Sequence, residues 1–140
     1  MTIRRRLGQS DLWVSPVALG CWPLAGITSG QLTDEAAVAV IDAALEAGVN
    51  HLDTAHAYGR GGESERRIAR AIRDRREQLV LATKVGVYWD HDGALQRTGR
   101  PALLRQHFEE SLRRLEVDAV DLLYFHAPAE DAPLADSAGF

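Results

Sequence analysis

A chain of 140 residues, 46% apolar and 26% charged, has the composition of one folded domain large enough to bury a core, which excludes a disordered or fibrous chain. Its net charge of −4 excludes a general electrostatic pull toward nucleic acid or an anionic membrane surface. The single cysteine, Cys21, excludes an intrachain disulfide, and no apolar run is long enough to span a bilayer, so a cytoplasmic protein is expected.

Arg4, Arg5 and Arg6 precede an apolar stretch over residues 12–27 and imitate a signal peptide. Gly8, Gln9, Ser10 and Asp11 separate the charges from that stretch, and Pro16 and Pro23 interrupt it, so the segment is read as structure. A small hairpin over residues 3–14, turning at the Gly-Gln-Ser-Asp sequence, is expected. Residues 17–19 are a short apolar run ended by Gly20. Residues 34–47 are helix formers, with Thr33 placed to cap, Asp34 and Glu35 in the first turn and Gly48 at the exit.

A strand over 49–53 follows, then a glycine-rich loop over 59–62. That loop lacks the Gly-Lys-Ser/Thr ending of a phosphate loop, and no Gly-x-Gly-x-x-Gly follows the first strand, so it is read as a connection. A charged helix over 63–73 carries Ile68, Ala69, Ala71 and Ile72 on one face, and Arg73, Arg75 and Arg76 suit its solvated end. Residues 79–83 read as a strand buried on both faces. Pro101 opens a third helix with Leu103, Leu104, Phe108, Leu112 and Leu115 as its apolar stripe. A last strand over 120–125 is interrupted by Asp121.

Strands near 17, 49, 79 and 120 with helices between them are the mark of βα units around a parallel sheet. A small open sheet and half of an eight-stranded barrel both fit that spacing. In either case reactive groups gather at the C-terminal ends of strands. Those exits carry Gly20, Cys21 and Trp22, then Asp53 with Tyr58 five residues on, then Lys84, then His126. Singly, each has an ordinary explanation: Asp53 a loop cap, Tyr58 a loop aromatic, His126 a turn residue. Lys84 at the end of a buried strand needs an anion, and Asp53 is on the neighbouring strand. An ammonium beside a tyrosine hydroxyl favours the ionised oxygen, and an imidazole nearby hydrogen-bonds a substrate oxygen. Such a set protonates a carbonyl oxygen while hydride arrives at carbon, and no side chain supplies hydride, so a nicotinamide cofactor is required.

The stretches Gly48-Val49-Asn50-His51-Leu52-Asp53-Thr54-Ala55, Tyr58-Gly59, Ala82-Thr83-Lys84-Val85-Gly86, Ser111-Leu112-Arg113-Arg114-Leu115 and Val120-Asp121-Leu122-Leu123-Tyr124-Phe125-His126 resemble the aldo-keto reductases, as do Arg6-Leu7-Gly8 and Leu19-Gly20. The resemblance implies a parallel (β/α)8 TIM barrel, of which residues 1–140 form a single partial domain: about the first four βα units plus an N-terminal β-hairpin. It implies a catalytic tetrad of Asp53, Tyr58, Lys84 and His126, with Tyr58 the general acid-base, Lys84 and Asp53 tuning it, and His126 orienting the carbonyl. It also places Gly20, Cys21, Trp22 and Asp53 beside the nicotinamide, with Cys21 a packed thiol and no metal. The implied cofactor is NADP(H), with NAD(H) as the alternative, and the implied partner is a small-molecule carbonyl or alcohol. Neither nucleic acid nor membrane is an expected partner. The family's main phosphate- and adenine-binding elements lie in its other half. The 140 residues by themselves are therefore expected to be inactive, and to self-associate or be complemented by a second half-barrel.

Three other readings stay open at this point. One is a regulatory protein, since the family includes subunits associated with potassium channels. Another is a metal-dependent barrel hydrolase using His51, Asp53, His56 and His126. The last is a non-catalytic remnant of the same family. Trp22, Tyr88 and Trp89 follow strand exits as candidates for an apolar substrate wall.

Overall fold

The computed structural model describes residues 3–139. The chain begins as expected with a hairpin, β1 (Arg5–Arg6) antiparallel to β2 (Trp13–Val14). Asn50 anchors it: its Oδ1 accepts from the Ser15 backbone N–H at 2.7 Å and its Nδ2 donates to the Trp13 carbonyl at 2.9 Å. The elements that follow are β3 (Leu19–Gly20), α1 (Asp34–Glu46), β4 (His51–Asp53), α2 (Glu63–Ile72), β5 (Val80–Val85), β6 (Val87–Trp89), β7 (Leu95–Arg97), α3 (Pro101–Leu115), β8 (Leu122–Phe125) and the short α4 (Leu134–Ala138).

Strands β3, β4, β5 and β8 form one sheet in that order, all parallel, with helices in the crossovers. This is the arrangement of part of a (β/α) barrel. The core lies between the sheet and its helices. Leu52 and Leu81 have no exposed surface and pack in one cluster with Ile41, Ile68, Ile72 and Leu115, and the equally buried Thr83 meets Glu65 of α2. Each such fully buried aliphatic side chain contributes roughly 1.5–3 kcal/mol relative to exposure. Strand alternation then turns Asp53 and Lys84 to the opposite face. The Thr33 hydroxyl caps α1 by accepting from Ala36 N at 3.2 Å, as its position predicts.

The strand boundaries differ from those read in the sequence, each for a local reason. The first strand starts at Leu19 rather than residue 17, because Val17 is 67% exposed in the turn after Pro16. The second starts at His51 because Val49 N is still bonded to the Ala44 carbonyl at the end of α1 and Asn50 is committed to the hairpin. The third begins at Val80 and runs through Val85, so Lys84 lies inside the ladder and not after it; His56 N and His126 N bond to the Lys84 and Val85 carbonyls at 3.0 and 2.9 Å. The last begins at Leu122 because the Asp121 carboxylate takes the Leu81 N–H at 2.7 Å, where a ladder carbonyl would otherwise stand.

Two further differences bear on function. The buried face of α3 is Leu104, His107, Ser111 and Leu115, whereas Leu103, Phe108 and Leu112 are only partly buried. The antiparallel hairpin of β6 and β7 was not expected from the sequence. It is made possible by Gly86, at φ +101°, where a Cβ would come within 2.6 Å of the Phe125 ring. The Asp90 carboxylate closes its turn by accepting from Asp92 N and Ala94 N at 3.0 and 2.8 Å. The arginines after α2 are paired and not merely solvated: Arg73 with Glu116, Arg75 with Asp42, and Arg76 with Asp121.

Candidate active site

The C-terminal ends of the parallel strands converge on Lys84. Its Nζ donates to Asp53 Oδ1 at 2.6 Å, to the Thr54 carbonyl at 2.9 Å and to the Tyr58 hydroxyl at 3.2 Å. Asp53 is in register with Ala82 and stands one strand away from Lys84, so the ion pair bridges β4 and β5. An ammonium has three donors, and all three are used here. Because the pair is largely shielded, with the lysine side chain 15% exposed, its attraction is stronger than that of a surface pair.

Tyr58 is presented by the loop between β4 and α2, which turns back at Gly59. Gly59 has φ +100°, and a Cβ there would approach the Glu63 backbone nitrogen to 2.9 Å, so the turn after the tyrosine needs glycine. The phenol ring meets Trp22 edge-on at 5.1 Å and His126 edge-on at 5.9 Å. His126 follows β8, and its Nδ1 is buried with no hydrogen-bond partner among the described residues. Burial, and after it the positive charge of Lys84, holds the His126 imidazole below its ordinary protonation range. It is therefore a neutral ring at neutral pH, with one N–H to give.

The structure thus brings Asp53, Tyr58, Lys84 and His126 onto one rim. Gly20 stands beside Asp53 in the parallel register, exposed, with no atom within 4 Å of where a Cβ would sit. Trp22 reaches Tyr58, but the Cys21 side chain does not face the rim. Its thiol is fully buried in the core and lies 3.3 Å from the Leu19 carbonyl, and burial pushes its pKa up to about 12. Only the Cys21 backbone reaches the site, donating to the Asp53 carbonyl at 2.9 Å.

Other residues singled out in the sequence go elsewhere. His56 turns away from Asp53 toward α3, where its Nε2 meets Glu110 at 2.9 Å and its ring stacks on His107 at 4.5 Å. His51, Asp53 and His56 therefore do not converge, and among the described residues no group of three His, Cys, Asp or Glu side chains is placed to hold a metal ion. Tyr88 lies against His107 at 4.9 Å rather than over the rim. Trp89 donates its indole N–H to the Ala57 carbonyl at 2.8 Å, a role with no direct sign in the sequence. Nor was the polar layer beneath the loop anticipated. There the fully buried Glu65 carboxyl accepts from the Thr83 hydroxyl at 2.9 Å and from Arg114 at 3.4 Å. A cavity of about 610 Å³ lies at the other end of the sheet, between the ends of α2 and α3, and contains none of the rim residues.

Comparison with known proteins gives the family and the fold. Residues 16–140 match the model of the aldo/keto reductase family. The chain is 40% identical over 125 residues to an uncharacterized oxidoreductase, YqkF, of Bacillus subtilis, covering 88% of this chain and 38% of that protein. It is 34% identical over 140 residues to a probable voltage-gated potassium channel subunit beta of Oryza sativa, covering 95% of this chain and 40% of that one. The holo form of the aldo-keto reductase AKR11C1 from Bacillus halodurans superposes with a TM-score of 0.85 at 33% identity, over 98% of this chain and 44% of that structure. The chain thus spans about two fifths of the length of the curated relatives it matches. Among the described residues no helix is long and apolar enough to cross a membrane.

Proposed function

This chain belongs to the aldo/keto reductase family, and from that premise we propose that it carries the proton-transfer half of an NAD(P)H-dependent carbonyl reductase, with NADP(H) the expected cofactor and a small aldehyde, ketone or the corresponding alcohol as substrate. The observation that supports this most directly is Lys84 Nζ standing between Asp53 Oδ1 at 2.6 Å and the Tyr58 hydroxyl at 3.2 Å.

Tyr58 is the proton donor. In reduction its O–H breaks as the substrate oxygen takes the proton, and negative charge collects on the phenol oxygen. Lys84 donates a hydrogen bond to that oxygen, and Asp53 holds the ammonium in place and balances its charge. In alcohol oxidation the same atoms run in reverse. His126, neutral through burial, gives its N–H to the substrate oxygen and fixes that oxygen near Tyr58. When bound, a nicotinamide cofactor supplies or accepts the hydride. The rim suits a flat ring: the space over Gly20 is open, Trp22 stands at its side, and the buried His126 Nδ1 lacks a partner. Gly20, Trp22, Asp53 and the Cys21 backbone are the residues that would hold it.

Tyr58→Phe, made in a closed barrel containing this chain, should lower carbonyl reduction by about 10²–10⁴-fold while leaving NADPH affinity nearly unchanged. Near wild-type turnover in that variant would remove Tyr58 as the acid. NADPH binding without turnover on any aldehyde or ketone would favour a regulatory protein over an enzyme.

A further inference from the structure

The segment that carries Tyr58 is held by its carbonyl groups. Thr54 O accepts from Lys84 Nζ at 2.9 Å, and Ala55 O from Tyr58 N at 3.0 Å. His56 O accepts from Arg114 Nη1 at 3.2 Å, and Ala57 O from Trp89 Nε1 at 2.8 Å. Tyr58 O accepts from Ser64 N at 3.2 Å. Every carbonyl from residue 54 to residue 58 thus has a named donor within the protein, although connecting loops usually leave such groups to water. Three of the donors are side chains, on β5, α3 and β6.

Trp89 acts at the decisive place. The Ala57 carbonyl belongs to the peptide that joins Ala57 to Tyr58. Trp89 holds the C=O end of that rigid plane, and Ala55 holds its N–H end, so the plane cannot rotate without breaking a bond. The following peptide is held through Tyr58 O, so the backbone on both sides of the tyrosine Cα is constrained. Trp89 is itself gripped. It pairs with Leu95 across the β6–β7 hairpin, and the Arg60 guanidinium lies 5.2 Å from its ring centroid while reaching the Gly93 carbonyl at 3.4 Å.

We propose that Trp89 is a positioning residue for Tyr58: the β6–β7 hairpin clamps the Ala57–Tyr58 peptide through the indole N–H and so sets where the phenol oxygen stands relative to Lys84 and the substrate. This rests on the reading of Tyr58 as proton donor. A displacement near 1 Å at a reacting group costs on the order of 10²-fold in rate, so a backbone clamp of this kind has kinetic consequences.

The test is a double-mutant cycle of Trp89→Phe and Tyr58→Phe in a closed barrel containing this chain, assayed with NADPH and benzaldehyde. It is paired with hydrogen exchange of the tryptophan indole N–H groups followed by NMR. The Trp89 indole should exchange at least about tenfold more slowly than that of the exposed Trp13. Trp89→Phe should lower kcat about tenfold, leave KM and the NADPH Kd within about twofold, and cause no further loss in the Tyr58→Phe background. Fast exchange at the Trp89 indole, an unchanged kcat, or an equal loss in both backgrounds would overturn the clamp. Full turnover in Tyr58→Phe would instead overturn the assignment of Tyr58, whatever the exchange rate at Trp89.

Discussion

At the scale of single residues, Lys84 makes the sharpest prediction. Among the described residues its ammonium is the only donor to the Tyr58 oxygen, at 3.2 Å, and Asp53 neutralises it at 2.6 Å. Lys84→Met keeps the stem's bulk but removes the charge, so turnover should fall by at least about 10²-fold with the fold retained; wild-type kcat in that variant would exclude a role for the ammonium. His107 predicts a pH effect. Burial first, then the charge of His56 facing it, lowers its pKa from 6.5 to about 4; Glu110 opposes this and Arg114 adds to it. Between those two values the unfolded chain binds a proton that the folded chain refuses, so stability is present above the upper value and is lost as the pH falls toward the lower one. The loss should reach at most about 3 kcal/mol, and His107→Leu should flatten it; urea midpoints at about pH 7 and about pH 5 measure both. The convergence of Asp53, Tyr58, Lys84 and His126 could be read from the sequence because each stands near or just beyond a strand end, where alternation and parallel connection dictate which rim it joins. The bond from Trp89 to Ala57 could not, because a side chain meeting a carbonyl 32 residues away depends on the exact path of two loops.

At the scale of elements, the helices and the parallel strands follow from capping and apolar runs, whereas the β6–β7 hairpin rests on a weaker signal. Its signal was present: Val87-Tyr88-Trp89 and Leu95-Gln96-Arg97 flank Asp90-His91-Asp92-Gly93, a turn sequence ending in Asp-Gly. The buried face of α3 differs from its apolar stripe for another reason. Its inward stripe includes His107 and Ser111, and a polar residue in a helical pattern reads as solvent-facing unless its partner is known. That partner layer makes its own prediction. Glu65 has no exposed surface, and Arg114 is the only cation paired with it among the described residues. Arg114→Leu should leave a buried carboxyl with only the Thr83 hydroxyl and destabilise the α2–α3 contact by about 3–5 kcal/mol. The double variant with Glu65→Leu should recover much of that loss. Chemical denaturation of the single and double variants checks this, and an Arg114→Leu protein of unchanged midpoint would show that the pair carries no net stability.

At the scale of the whole molecule, the sheet is parallel and open. Strands β3 and β8 each have one partner among the described residues, so each presents a row of unpaired backbone groups. On β8 the tyrosine of the inner face, Tyr124, is 38% exposed, and its flanking residues Leu122, Leu123 and Phe125 are only half-buried. A barrel strand in this position is ordinarily covered by neighbours on both edges and by layered side chains within. A polypeptide of only these 140 residues should therefore bury its edges against other copies. Parallel pairing requires the β8 edge of one copy to meet the β3 edge of another. Its hydride chemistry should fail as well, because a barrel's phosphate site is built after strands seven and eight, and remote phosphate contacts supply much of the binding that holds a dinucleotide in place. Sedimentation over a concentration series should show species larger than the 15.4 kDa monomer, growing with concentration. NADPH titrated by fluorescence should bind weakly or not at all, and aldehydes and ketones should go unreduced. A well-folded monomer with robust turnover would refute this, and would mean that the Lys84 cluster and four parallel strands suffice for the reaction without the rest of a barrel.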